Sequence, residues 1–198
     1  MEVPAVYTPV SELDLISTLH DGHIKAFDSE PSVERLGFAW AQMCLEMGRG
    51  KLIRCFNYGN ITATPSWTGD FFSLHVPPPD PPVLKFRAFK SAILGATNYW
   101  SFMAQRFAQE LELMNSGNAF LTAERLGEAH YYLADKQVYS KAVANLYQEF
   151  MQRLAGKATA SVPSPEELAL MGTLWHLEDQ LDQGEYGIDA IDKVVKGS

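Results

Sequence analysis

The segment VERLGFAWAQMCLEMGRG, residues 33–50, constrains the fold of this chain more than any other. Val33, Leu36, Gly37, Trp40, Cys44 and Met47 recur three and four positions apart, the period of a helix that buries one face. Ser32 precedes the run and Gly48 and Gly50 follow it. Serine caps a helix start, and glycine accepts the left-handed backbone that closes a helix. A helix this apolar must be covered by other elements, so the chain is expected to build a helical core around it. Glu46 stands in its last turn. With Val33 at zero and about 100° per residue, Glu46 falls at roughly 220°, away from the apolar stripe.

The rest of the chain supplies the cover. Ser11, with Asp14 three positions on, opens a short helix over residues 11–20. From 51 to 89 the helical period disappears. FFSLHV and VLKFRAF alternate as strands, with the prolines 77–79, 81 and 82 as a stiff connection between them. A helical stretch runs from Ser91 to Asn115–Gly117, and two further helices cover 119–129 and 136–155, the second capped by Asp135. GKATASVPSP then reads as a linker, and Ser164-Pro165-Glu166-Glu167 as a helix start. The domain boundaries follow: 1–156 as the main domain with a core at 33–154, 157–164 as linker, and 165–198 as a helical appendage.

Charge and motifs narrow the functional class. Sixteen Lys and Arg stand against 24 Asp and Glu, a net charge of −8, which counts against nucleic acid as a partner. No apolar stretch is long enough for a membrane span. The opening residues MEVPAVYTPVSELDLISTL lack the basic start and apolar block of a secretory signal, so cytoplasmic synthesis is expected. Cys44 and Cys55 fit buried thiols rather than a disulfide framework or zinc site. No phosphate-binding loop, dinucleotide fingerprint or HExxH pattern occurs, and the five histidines are scattered. No metal and no cofactor is therefore expected.

Glu46 is the residue with chemistry to offer. A carboxylate in the last turn of a helix meets the negative end of the helix dipole, and a cleft mouth would desolvate it. Both effects raise its pKa, and a carboxylic acid kept protonated near neutral pH is the general acid that glycosidic cleavage needs. The same position also describes a plain surface glutamate. Tyr58, Trp67, Phe71, Tyr99, Trp100, Tyr131 and Tyr132 are rings that fit either a core or a sugar-stacking cleft; Trp100 and Cys44, on apolar stripes, read as core.

Taken in order, CLEMGRG, NYGNITATPSWTGDFF, KFRAF and EAHYYLADKQVYSKAV resemble the glucosaminidase-type hydrolases of bacterial and phage cell-wall enzymes. That family's motif order is E-[ST]-G-x-G, N-[LY]-x-[GN]-I-K-A, W-x-G, F-R-x-[YF] and G-Y-x-x-[AD] followed by Tyr. The likeness spans residues 33–154. It implies Glu46 as the catalytic acid, Asn57, Asn60 and Ile61 as the turn into the cleft-lining sheet, and Trp67, Gly69 and Asp70 as its outer arm. Phe86, Arg87 and Phe89 match the strand returning to the helices. Tyr131 and Tyr132 fall where the family places a substrate-facing tyrosine, and Tyr132 fits that role because Asp135 and Tyr139 follow it. Asp70 is the nearer candidate for a second carboxylate and Asp80 the alternative. Asn57, Tyr58, Asn60, Trp67 and Tyr131 are the expected substrate contacts. Three positions depart from the pattern: Met47 for Ser or Thr, Thr62 for Lys, and His130 for Gly.

The resemblance implies an α+β, predominantly α, lysozyme-like fold with a small β-hairpin lobe and a C-terminal helical appendage. It implies cleavage of the glycan strand of peptidoglycan after N-acetylglucosamine. A muramidase, a lytic transglycosylase or a non-catalytic binding protein on the same fold are the alternatives. The expected setting is a phage endolysin or a virion-carried lysin acting on the bacterial wall, with the appendage contacting an assembly partner.

Overall fold

The computed structural model describes residues 1–75, 83–132 and 134–155. Asp80 and the proposed linker and appendage lie outside them. Helix α1 (Glu12–Phe27) is longer than the sequence suggests. Its Ser11 cap accepts from the Asp14 amide at 3.1 Å, and it ends only where Asp28 turns left-handed at φ 54°. Helix α2 (Val33–Glu46) starts at Ser32, whose hydroxyl accepts from the Arg35 amide. The two strands, β1 (Phe71–His75) and β2 (Val83–Arg87), form an antiparallel hairpin in which Phe71 faces Arg87 and His75 faces Val83. The stretch from Ser91 breaks in two, α3 (Ala92–Arg106) and α4 (Ala108–Leu113), because Phe107 leaves helical geometry at φ −136°. A single 3-10 turn, Met114–Ser116, leads to α5 (Ala119–Glu128) and α6 (Lys136–Leu154). Both start on capping side chains, Asn118 and Asp135.

The architecture is thus predominantly helical with one small antiparallel sheet, the α+β fold that the sequence led us to expect. Helix α2 lies at its centre, and every residue from Gly37 to Leu45 is buried. Trp40, Trp100, Tyr58, Tyr99 and Tyr139 are the largest side chains of the core. Helices α1 and α3 lock together through the Trp100 indole, which donates to the Leu19 carbonyl at 2.8 Å. Under the hairpin a second, smaller cluster forms from Cys55, Phe72, Leu84, Phe86 and Ala88. Among the described residues no helix is long and apolar enough to cross a membrane.

Two features fix the loop that follows α2. Residues 1–10 run alongside it as a strap: Val10 donates to the Gly50 carbonyl at 3.0 Å, Thr8 to that of Ile53 at 2.8 Å, and Cys55 donates back to Val6 at 2.9 Å. Gly95 of α3 meets the same loop so closely that a Cβ there would stand 1.8 Å from the Phe56 carbonyl oxygen. Beyond it, residues 61–63 pair along the outer edge of β2, with Arg87 donating to Ile61 and Ala63 donating to Lys85. The loop is thereby pinned between α3, the sheet and the N-terminal strap.

Candidate active site

Glu46 is the last residue of α2, and its carboxyl is met from across the core by α6. The Tyr139 hydroxyl donates to Glu46 Oε1 at 3.1 Å. Gln42, one turn before Glu46 on the same face, donates through Nε2 to the Tyr139 oxygen at 3.1 Å. Its amide oxygen accepts from the Tyr99 hydroxyl of α3 at 2.7 Å. The result is a directed chain, Tyr99 to Gln42 to Tyr139 to Glu46. Because Gln42 gives its proton to Tyr139, the tyrosine's own proton is free to point at the carboxylate.

This setting is far from that of a surface glutamate. Glu46 is half-buried, and its carboxyl is poorly solvated. Burial pushes its pKa up to about 8, against the Tyr139 hydrogen bond, which lowers it. The dominant effect is the cost of holding a charge in a poorly solvated place. The same burial drives Tyr99, Tyr131 and Tyr139 well above the ordinary tyrosine range, and the nearby Glu46 charge adds to it. Burial therefore favours a protonated carboxyl and neutral phenols at this site. That is a proton donor in a low-polarity cleft, able to protonate a leaving oxygen.

The turn that carries Glu46 is clamped to α1 and α6. Arg49, left-handed at φ 57°, forks onto Glu149 at 2.6 and 3.1 Å and reaches Glu12 at 3.2 Å. Arg153 adds bonds to both glutamates, and the Arg49 and Arg153 guanidiniums each lie against the Trp40 ring. Arg49 and Glu149 are both buried, so the pair is a fixed joint rather than a surface contact.

The structure distributes the expected site residues unevenly. Tyr131 comes to Glu46: its buried hydroxyl feels the Glu46 charge and has no hydrogen-bond partner among the described residues. Tyr132 instead turns its hydroxyl away to the Ala123 carbonyl at 2.8 Å. Its ring stacks on Tyr139 at 3.6 Å, so it backs the site rather than touching it. Tyr58 is 0% exposed and belongs to the core, which removes it from a sugar-stacking role. Asn57 is also buried, its amide bonded both ways to the Ile61 backbone, so it shapes the 57–61 turn from within. Asn60 is half-buried in that turn with φ 49°. Trp67 is half-buried beside the sheet, its indole donating to the Asp70 carbonyl at 2.9 Å. The Asp70 carboxylate lies 3.3 Å from the N-terminal amino group. Cys44 and Trp100 are core.

Gln42 and Tyr139 are the site residues that sequence reasoning passed over. The available signal was the four-residue step from Gln42 to Glu46, which puts a polar side chain on the acid's own face of a helix otherwise apolar there. Two departures from the family pattern also find physical reasons. His130 adopts φ 58°, the conformation that glycine ordinarily supplies and that histidine tolerates better than most residues. Met47 is 1% exposed, an apolar side chain in the core where a serine or threonine hydroxyl would need a partner.

Among solved structures, the fold is similar to a peptidoglycan hydrolase from Sphingomonas sp. A1, with a TM-score of 0.54 and 21% identity over 76% of this chain and 97% of that one. It is likewise similar to the glycoside hydrolase domain of FlgJ from Salmonella typhimurium, with a TM-score of 0.53 and 18% identity over 74% of this chain and 92% of that domain. At these identities the likeness defines the fold, which is the lysozyme-like one. No protein-family model and no curated protein matches the chain.

Proposed function

We propose that this protein cleaves the glycan strand of peptidoglycan, after N-acetylglucosamine, with Glu46 as general acid. The observation that carries the reading is a carboxyl met by the Tyr139 hydroxyl, its pKa pushed up by burial, at the end of the central helix of a fold similar to that of a peptidoglycan hydrolase and a glycoside hydrolase domain. Glu46 gives its proton to the glycosidic oxygen as the bond breaks. The carboxylate that results is then stabilised by the Tyr139 hydroxyl, whose donor direction Gln42 has already set.

Among the described residues, burial and Tyr139 are the influences on Glu46; Asp80, the alternative second carboxylate, lies outside them. In the route that needs no second carboxylate, the substrate's own N-acetyl oxygen attacks the anomeric carbon and forms a cyclic intermediate. Water, deprotonated by the Glu46 carboxylate, then opens it and restores the acid. The proposed setting is a phage endolysin or virion-carried lysin, with residues 165–198 as an assembly contact.

The test is digestion of purified peptidoglycan by the full chain and by Glu46→Gln. Soluble fragments ending in a reducing N-acetylglucosamine, lost in the variant, support the proposal. Fragments ending in reducing muramic acid make the enzyme a muramidase, and anhydro-muramic ends make it a transglycosylase. Equal activity in the two proteins overturns the role of Glu46.

A further inference from the structure

Two enclosed arginines of this acidic chain meet glutamates, Arg35 with Glu112 and Arg49 with Glu149. Half-buried Arg54 has no carboxylate partner among the described residues and meets the hydroxyl and ring of Tyr7 instead. Arg87, at the end of β2, is likewise without one. Among the described residues no carboxylate pairs with it, although it is half-buried. The Trp67 ring lies 4.5 Å and the Phe102 ring 5.4 Å from its guanidinium carbon. Nε donates to the Thr62 carbonyl at 3.2 Å and Nη1 to Asn98 Oδ1 at 3.0 Å. These two neutral acceptors and two rings orient the guanidinium without cancelling its charge, and Nη2 has no hydrogen bond among the described residues. Trp67 is itself held, by its bond to the Asp70 carbonyl.

The contrast with Arg49 is instructive. Both guanidiniums lose solvation, yet hydrogen bonding and charge from Glu149 lift the pKa of Arg49, whereas burial alone acts on Arg87 and lowers it. A cation desolvated without a counter-ion is costly, and the cost is recovered when an anion arrives. The place of Arg87 is equally telling. Phe102, which flanks it, meets the Tyr131 ring at 6.5 Å, and Tyr131 is the phenol beside Glu46. Two aromatic rings thus separate Arg87 from the acid.

We propose that Arg87 is the carboxylate-recognition point of the glycan cleft, its Nη2 edge taking an acidic group carried by the strand. That group is either the free lactyl acid of a peptide-less muramic residue or a carboxylate of the attached stem peptide. The planar fork of arginine suits a carboxylate, and the rings on its faces leave only its edge for the ligand. This inference rests on the reading of the cleft as a glycan site, and it supplies what a neutral sugar polymer would lack.

The experiment measures binding, not turnover. Full-length Glu46→Gln is titrated calorimetrically with three disaccharides of N-acetylglucosamine and N-acetylmuramic acid. One has a free lactyl acid, one has that acid blocked as a methylamide, and one has it extended by L-alanyl-D-glutamate. At least one acidic ligand is expected to bind about tenfold or more tightly than the neutral one, and the preferred acidic ligand identifies the source of the carboxylate. Adding Arg87→Gln should bring that ligand down to the neutral one's affinity and leave the neutral one unchanged, whereas Arg87→Lys should keep part of the preference. Equal affinity for all three ligands with Arg87 intact overturns the proposal, whether or not the Arg87 variants fold. No binding of any ligand by the folded protein overturns both this inference and the glycan reading. Acid-selective binding by a protein whose wild type has no activity on wall would sink the proposed hydrolysis alone.

Discussion

Replacing Tyr139 by phenylalanine isolates the hydrogen bond on which the proposed acid depends. The substitution removes one hydroxyl and keeps the ring that stacks on Tyr132. The lost bond is the influence that lowers the pKa of Glu46, which otherwise burial raises to about 8. A hydrogen bond to a charged group is worth roughly 1.5–3 kcal/mol, and one pH unit corresponds to about 1.4 kcal/mol. The carboxyl should therefore hold its proton to a pH about one to two units higher. A general acid works while protonated, so kcat/KM is sustained below its pKa and falls above it. The alkaline limb of the profile should move to higher pH by that amount. The plateau should drop about 10- to 100-fold, because the carboxylate formed when the proton leaves has lost its donor. Stability should fall as well, by about 1–3 kcal/mol, since Gln42 Nε2 loses a buried acceptor. The measurements are dye release from labelled peptidoglycan between about pH 5 and 10 and a thermal melt of each protein. An alkaline limb that stays in place or moves down would refute the reasoning, even if activity fell.

The other expectations concern the acid and its clamp. Glu46→Gln should lower turnover of labelled wall about 10²–10⁴-fold; its melt should match wild type near pH 4, where the carboxyl is neutral in both folded and unfolded chains, and lie above wild type near pH 7, by up to about 3 kcal/mol. The folded pKa of Glu46 lies above its ordinary 4.5 at about 8, so between those values the unfolded chain has released a proton that the folded chain keeps. Folding stability should thus decline as pH rises through that window, by at most about 5 kcal/mol since Glu46 is only half-buried. Denaturant titrations of wild type and Glu46→Gln at pH 5, 7 and 9 check this, since the variant should lose that slope. Glu149→Gln leaves the buried Arg49 without its forked partner and should cost about 3–5 kcal/mol by chemical denaturation. A change below about 1 kcal/mol would mean that Glu12 alone satisfies Arg49.

What the sequence could disclose was set by the range of each interaction. The period of α2 and its glycine stop are local, and they located both the central helix and the residue at its end. The helical wheel erred about the surroundings of Glu46, because a wheel separates faces only when one of them meets water. Helix α2 is covered on all sides from Gly37 to Leu45, while Val33, the reference point of the stripe, is 49% exposed. The choice between Tyr131 and Tyr132 was likewise beyond local rules. Whether a phenol faces the acid or the Ala123 carbonyl depends on how α5 and α6 pack. The break at Phe107 carries no glycine or proline to announce it. Arg87 could be assigned to a strand from its pattern, but its lack of a counter-ion is a property of everything packed around it.

The same dependence on packing explains why the acid sits on α2 and its support on α6. Helix α6 touches the site region at two levels, through Tyr139 near its start and through Glu149 and Arg153 near its end. Ten residues of helix separate Tyr139 from Glu149, a rise of about 15 Å. One rigid rod therefore fixes both the carboxyl of Glu46 and, through Arg49, the turn that follows it. A shift of α2 along α6 would have to break the Tyr139 bond and the forked Arg49–Glu149 pair together. Met47, between the two anchored residues in sequence and 1% exposed, adds an apolar side chain to the core at this point.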